Sequence, residues 1–413
     1  MYKERREKFL AQLPDYSLAV FMSGSAPYNL GDEKHPFDVD RTFYYLTGLD
    51  RENMTLLLAK LPNRTAETVF IEPFDEVMAK WVGARMKKDE AREISGIQDV
   101  RYNEDLEGTI SGYVNNLGKL HPFTLCGELS KMELEQKWPV SDLFNKIRHY
   151  QPDVQIRNIC DLTARMRMAK DPEEIKKISR AIAVTNAGIK SMMMAAKDGI
   201  WENELEAYFD FVLKCNQCGH AFHTICAAGK NATVLHYGEN NQQSAPGDLV
   251  LCDLGASYQY YKADITRTFP INGKFSERQK QVYELVLRAN KLVMEKARPG
   301  ITTRQLNQYV IEFYEQELPS IGLLQDGKTV RDYYFHGVSH HLGLETHDVS
   351  LPDEPLCVGA VITDEPGLYL EEEGIGVRIE DDIMITEDGC ICLSRDIPKE
   401  IADIEDFMAR RRK

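Results

Sequence analysis

Apolar and polar positions alternate in two rhythms along this chain. Between residues 15 and 125, short apolar runs (SLAVFMSG, MTLLLAKL, ETVFIEP) are separated by polar stretches of helical character, the pattern of short strands in an α/β arrangement. The texture changes near residue 150, where QPDVQIRNICDLTARMRMAKDPEEI leads into a helix. Asp171 before Pro172, Glu173 and Glu174 is a helix start. Ile175, Ile178, Ile182, Ile189 and Met193 then recur at helical spacing, and Gly199 stops the run. Further helices are predicted over 202–216, 276–297 (Ser276 as cap, Pro299-Gly300 as stop) and 303–317. Strands are predicted over 248–256, 260–269, 360–370 and 375–386, paired as hairpins. The fold class expected is α+β, with an antiparallel sheet in a C-terminal domain over 161–413 and a smaller α/β domain over 1–160.

The 413 residues exceed what one ordinary core accommodates, in keeping with two domains. Hydrophobic residues at 43% and charged residues at 28% mark a globular chain, not a disordered one. A formal charge of −15 repels phosphate backbones and anionic lipid, which argues against nucleic-acid and membrane-surface partners. The start, MYKERREKFLAQL, is a short charged amphipathic helix without the apolar core of a signal peptide. No stretch approaches the ~18–20 apolar residues that span a bilayer, so a cytoplasmic location is expected. Nine cysteines, an odd number scattered from Cys126 to Cys392, fit a reduced compartment.

Acidic residues inside apolar runs carry the chemistry. Asp253 and Asp264 lie in LVLCDLGASYQYYKADITRTFP, and an isolated carboxylate in a buried strand costs several kcal/mol or titrates away. A hairpin centred on Tyr258-Gln259 sets the two opposite each other, on one face. In ITDEPGLYLEEEGIGVRIEDD, Glu365 and Glu380 face each other across a turn near Glu372-Glu373. Like charges opposed in a sheet destabilise it unless a cation neutralises them. Between the hairpins, HGVSHHLGLETHD offers His336, His340 and His347 as ligands or acid–base groups, with His341 left out. Four carboxylates and one neutral imidazole balance two divalent cations, and an oxygen-rich donor set favours Mn²⁺ over Zn²⁺.

The order Asp253, Asp264, His340, Glu365, Glu380, within DITRTFP, HGVSHHLGLETHD, EPGLY and GVRIEDD, resembles the pita-bread metallopeptidases, and among them the Xaa-Pro aminopeptidases, with the Xaa-Pro dipeptidases next. The likeness covers roughly residues 165–400, and RTFYYLTGLDRENMTLLL resembles that family's N-terminal domain. It implies two divalent ions, Mn²⁺ first and Zn²⁺ or Co²⁺ as alternatives: Asp253 on one, His340 and Glu365 on the other, Asp264 and Glu380 bridging. It further implies Glu365 as proton shuttle, His236 and His347 as catalytic histidines, and His336, Tyr369 and Arg378 around a proline pocket. The substrates implied are peptides with proline second, and the assembly a homodimer or homotetramer whose N-terminal domain narrows the site's mouth, with Trp81 facing a neighbouring subunit. The plainer alternatives are a core tryptophan at 81, a strand histidine at 236, packing at Tyr369, and an Arg378 paired only with Glu380 or Asp381. Cys215 and Cys218, with His220 and His223 after them, imitate a zinc or redox site but fall at a helix C-terminus, where the dipole does not lower a thiol pKa. A dipeptidase, a general aminopeptidase and a non-catalytic binding module are the rival functions.

Overall fold

The computed structural model describes residues 1–116, 121–129 and 139–410. Internal contacts divide it into two units, Met1–Met166 and Arg167–Lys413. No helix among the described residues is long and apolar enough to cross a membrane.

The first unit is built on a six-stranded sheet: β1 (Ser17–Met22), β2 (Thr55–Leu61), β3 (Arg64–Ile71), β4 (Asp99–Tyr102), β5 (Thr124–Gly127) and β6 (Gln155–Asn158), in the order β4-β3-β2-β1-β5-β6. The apolar runs of the sequence are its three central strands, antiparallel to one another, and the outer pairs are parallel. Leu18, Val20, Leu57, Phe70, Phe123, Leu125 and Phe144 form the core. The N-terminal helix, Tyr2–Ala11, is less simply amphipathic than its charges imply. Arg6 is fully buried, donating to the carbonyls of Leu46 (2.8 Å) and Ser95 (3.0 Å) and to Glu67 (2.9 Å). These three bonds to Nε and Nη1 offset much of the cost of burying the guanidinium, while Nη2 is buried without a partner.

The second unit opens with helix Pro172–Ala195. Asp171 accepts from the amides of Glu173 and Glu174, and Glu174 accepts in return from the Asp171 amide at 2.9 Å, a capping box with Pro172 in the first turn. Its apolar face packs on helix Glu202–Cys215, with Gly188 where a Cβ would come within 2.3 Å of Phe209. Helices Glu277–Lys296, Thr303–Glu317 and Ile401–Ala409 follow.

The strands are β7 (Gly219–His220), β8 (Ile225–Ala228), β9 (Leu249–Leu254), β10 (Ala256–Tyr258), β11 (Tyr261–Lys262), β12 (Ile265–Pro270), β13 (Val361–Asp364), β14 (Gly367–Leu370), β15 (Ile375–Arg378), β16 (Asp381–Ile385) and β17 (Cys390–Cys392). They form small antiparallel sheets ordered β11-β10-β7, β12-β9-β8, β13-β16-β17 and β14-β15.

The first hairpin corrects the expected register. Gln259 and Tyr260 both take left-handed conformations (φ 48° and 69°), so the turn falls one residue later than Tyr258-Gln259. Asp253 therefore pairs with Thr266, and Asp264 sits two residues before it, in the break between β11 and β12. A slip of two preserves the face, since side chains alternate with a period of two. The second hairpin pairs Gly367 with Arg378, a register that continues through the Ile379 amide donating to Pro366 and brings Glu365 and Glu380 abreast. Its tip, Glu371–Glu373 closed by Gly374 in the left-handed region, is held by Lys230, Lys328 and Arg278 on Glu371, Glu372 and Glu373 respectively.

Candidate metal centre

Two hairpins and the short breaks beside their strands deliver four carboxylates to one place. Asp253 is the penultimate residue of β9, Asp264 precedes β12, and Glu365 and Glu380 flank the β14–β15 hairpin. The histidine arrives through the segment before β13: the Thr363 amide donates to His340 and the Glu365 amide to Val338. With His236, His336 and His347, these five side chains line a cavity of about 650 Å³ whose apolar wall includes Phe222, Ile225 and Leu235.

Within it, the donor atoms of Asp264, His340 and Glu380 lie within 4.8 Å of one another. His340 Nε2 is 3.4 Å from Asp264 and 3.5 Å from Glu365. The other ring nitrogen, Nδ1, faces the His341 carbonyl at 3.0 Å and must donate to it, which leaves the Nε2 lone pair free for a cation. Burial pushes the Asp264 carboxyl well above its ordinary pKa, and Asp253, Asp382 and Glu365 add to the shift. Burial does the same to Glu380, reinforced by Asp264, and raises Glu365. One Asp253 oxygen is buried with no hydrogen-bond partner. Carboxylates crowded out of water, an orphaned oxygen and a free imidazole lone pair fit an oxygen-preferring divalent cation.

Arg378 stands behind this cluster. Its Nη2 donates to Asp253 at 2.6 Å, Nη1 to the Tyr369 hydroxyl at 2.9 Å and Nε to the Thr266 hydroxyl at 3.1 Å. Its carboxylate partner is thus Asp253, in place of the Glu380 or Asp381 pairing weighed from sequence. Burial alone would lower its pKa, but Tyr369, Asp253 and Glu380 together outweigh it and push it up. Tyr369 is buried and touches His336 as well, whose Nδ1 faces the Gly337 carbonyl at 2.7 Å while Nε2 accepts from Tyr369 at 2.9 Å. Burial holds the His336 imidazole neutral, its pKa near 4. The His347 ring lies tilted against that of His340, centroids 4.1 Å apart, and burial lowers its pKa too.

Several partners were not singled out from sequence. Thr266 donates to Glu380 at 2.7 Å, and an Asp382 oxygen accepts the Asp264 amide at 3.2 Å. Thr266 was legible, two residues past Asp264 on the same strand face. Asp382 was not, because its partner lies over a hundred residues away in sequence. Cys215 is exposed and Cys218 buried, both free thiols. His220 faces Asp210 at 3.0 Å.

A pocket walled by acidic oxygens and imidazoles, with an apolar side for a substrate, defines a metal-dependent hydrolase. The chain belongs to metallopeptidase family M24, whose model matches residues 176–387, and the aminopeptidase P N-terminal domain matches residues 2–121. The Xaa-Pro aminopeptidase of Haemophilus influenzae is 33% identical over 98% of this chain and 96% of its own length. The mitochondrial intermediate cleaving peptidase 55 of Arabidopsis thaliana is 30% identical over 98% and 82%. Among solved structures, a Bacillus anthracis chain provisionally named aminopeptidase P superposes with a TM-score of 0.96 at 44% identity, covering 99% of this chain and 98% of that one. Escherichia coli aminopeptidase P with the inhibitor Pro-Leu gives 0.91 at 28%, covering 100% and 98%. With both regions matched, the fold is an α+β pita-bread domain preceded by an aminopeptidase P N-terminal domain.

Proposed function

We propose that this protein releases the N-terminal residue from peptides whose second residue is proline, using two divalent cations, Mn²⁺ first. The observation that carries the reading is the convergence of Asp253, Asp264, His340, Glu365 and Glu380 on one cavity. These five would hold the ions. Bound there, the cations supply a water acidified enough to attack a carbonyl near neutral pH and a positive clamp for the oxyanion.

The remaining work falls to the chain. A prolyl nitrogen carries no hydrogen, so the site recognises the ring by shape, against His336 and Arg378, with the buried Tyr369 hydroxyl bonded to both. Glu365, 3.8 Å from His336, holds a proton and passes it to that nitrogen as the C–N bond breaks. A neutral His347 donates toward the developing oxyanion, and His236, which lines the same cavity, orients the substrate. The relatives' names, Xaa-Pro aminopeptidase and aminopeptidase P, support this substrate class over the dipeptidase reading. Residues 161–413 would then be the catalytic domain and 1–160 the part that builds a homodimer or homotetramer. That last reading draws support from Trp81, 82% exposed on helix Glu76–Val82, which buries none of its residues.

The test is chelation followed by add-back. Stripped protein should hydrolyse neither Arg-Pro-Pro nor Gly-Pro, and Mn²⁺ should restore cleavage of the tripeptide to arginine and Pro-Pro. Cleavage of Gly-Pro alone would favour the dipeptidase. No cleavage with Mn²⁺, Zn²⁺ or Co²⁺ would leave a binding module.

A further inference from the structure

Helix Glu202–Cys215 opens with a carboxylate that faces inward. Glu202 is 1% exposed, and its two oxygens accept four hydrogen bonds. Oε1 takes the Ala228 amide (2.7 Å) and Asn231 Nδ2 (2.9 Å); Oε2 takes the Tyr237 hydroxyl (2.7 Å) and the Gln242 amide (2.9 Å). Those donors span 228–242, the segment that presents Leu235, His236 and Gly238 to the cavity. The Glu202 amide adds a bond to the Gln242 carbonyl at 3.0 Å. One turn on, Glu206 accepts from Asn240, a buried residue in the left-handed region (φ 45°), which also donates to the Thr224 carbonyl and accepts the Cys226 amide. His236 itself makes no hydrogen bond among the described residues, so its place is set by the backbone that carries it.

A glutamate at the start of a helix is ordinarily a solvated charge favoured by the dipole. This one is desolvated, which is tolerable because every lone-pair direction meets a donor. Both ends and the middle of the 228–242 segment therefore hang on one anion. Glu202 does not line the cavity. We propose that Glu202 is a positioning residue for hydrolysis, acting through His236 by clamping the segment that holds it. The proposal rests on the peptidase reading above.

The experiment is a double-mutant cycle on full-length, Mn²⁺-loaded protein with an Arg-Pro-Pro substrate. Glu202→Gln turns an NH₂ toward donors and should lower kcat/KM about 10-fold or more, because small misplacements at a site have large kinetic effects. In a His236→Asn background the same change should cost less than about 2-fold, since coupled residues are not additive, while the fall in Tm stays the same in both. Tyr237→Phe, which removes one of the four donors and spares the carboxylate, should show the same coupling with a loss of about threefold, and it decides the matter if Glu202→Gln does not fold. An equal loss in both backgrounds, or none in a folded variant, overturns the proposal while an active wild type leaves the peptidase reading intact. An inactive wild type removes both.

Discussion

Arg378 is the sharpest place to perturb the centre. Among the described residues it is the only arginine or lysine ion-paired with any of the four carboxylates, and it is almost fully buried. Arg378→Met keeps the volume and removes the charge, leaving Asp253 beside Asp264, Glu365 and Glu380 with no compensating cation. Stripping one partner from a buried pair costs about 3–5 kcal/mol. At roughly 2–4 °C per kcal/mol for a domain of this size, chelated Arg378→Met should melt about 6–20 °C below chelated wild type. With Mn²⁺ present the ions neutralise the same carboxylates, so the gap should shrink by more than half. Arg378→Lys restores the charge but not the three-way fork, and should recover only part of the loss. Calorimetry of the three proteins at neutral pH, with and without metal, reads all of this. A chelated Arg378→Met protein melting within about 2 °C of wild type would refute the electrostatic account.

Asp348 tests the opposite sign. Burial alone would raise its carboxyl, but Arg167 at 2.6 Å and Lys170 at 3.1 Å win and hold it below the ordinary Asp value. A depressed folded pKa gives stability that is present above the unfolded value of about 3.9 and lost as pH falls through the folded one. Asp348→Asn should therefore cost about 3–5 kcal/mol at neutral pH, with the difference from wild type narrowing below about pH 4; a difference that stays constant down to that range in urea titrations would contradict it. Asp171→Ala removes the cap of helix Pro172–Ala195 and should lower Tm by about 1–8 °C with kcat unchanged. Gly376→Ala sets a methyl 1.9 Å from the Ala232 carbonyl oxygen, forcing the His236-bearing segment off β15, with an expected Tm loss of about 2–12 °C and reduced turnover, read in the same melts and peptide assay.

The parts of this fold legible in sequence were those governed by local pattern. Three of the long helices of the second unit declare themselves through caps and spacing, the helix Glu202–Cys215 through spacing without a side-chain cap, and the β14–β15 register follows from a symmetric turn around an acidic triplet. The first hairpin was misplaced because its turn uses Gln259 and Tyr260 in left-handed conformations, which neither residue type advertises. Asp264 consequently faces the site from a strand break instead of a paired position. Glu202 showed only as a helix start, since its donors lie 26 to 40 residues further along and nothing in the intervening chain signals them. Arg378's choice of Asp253 over two nearer acids is likewise a matter of packing, invisible to spacing.

The connection from Glu371 to Gly374 sets a length as well as a direction. Most surface loops absorb an added residue at little thermodynamic cost. Here one insertion would shift β15 by a residue, turning Arg378 away from Asp253 and Glu380 out of the cavity, even though every side chain survived. Natural variation in this stretch should thus come in residue type, or in steps of two, and a single-residue insertion would disarm the protein without touching any group that does chemistry.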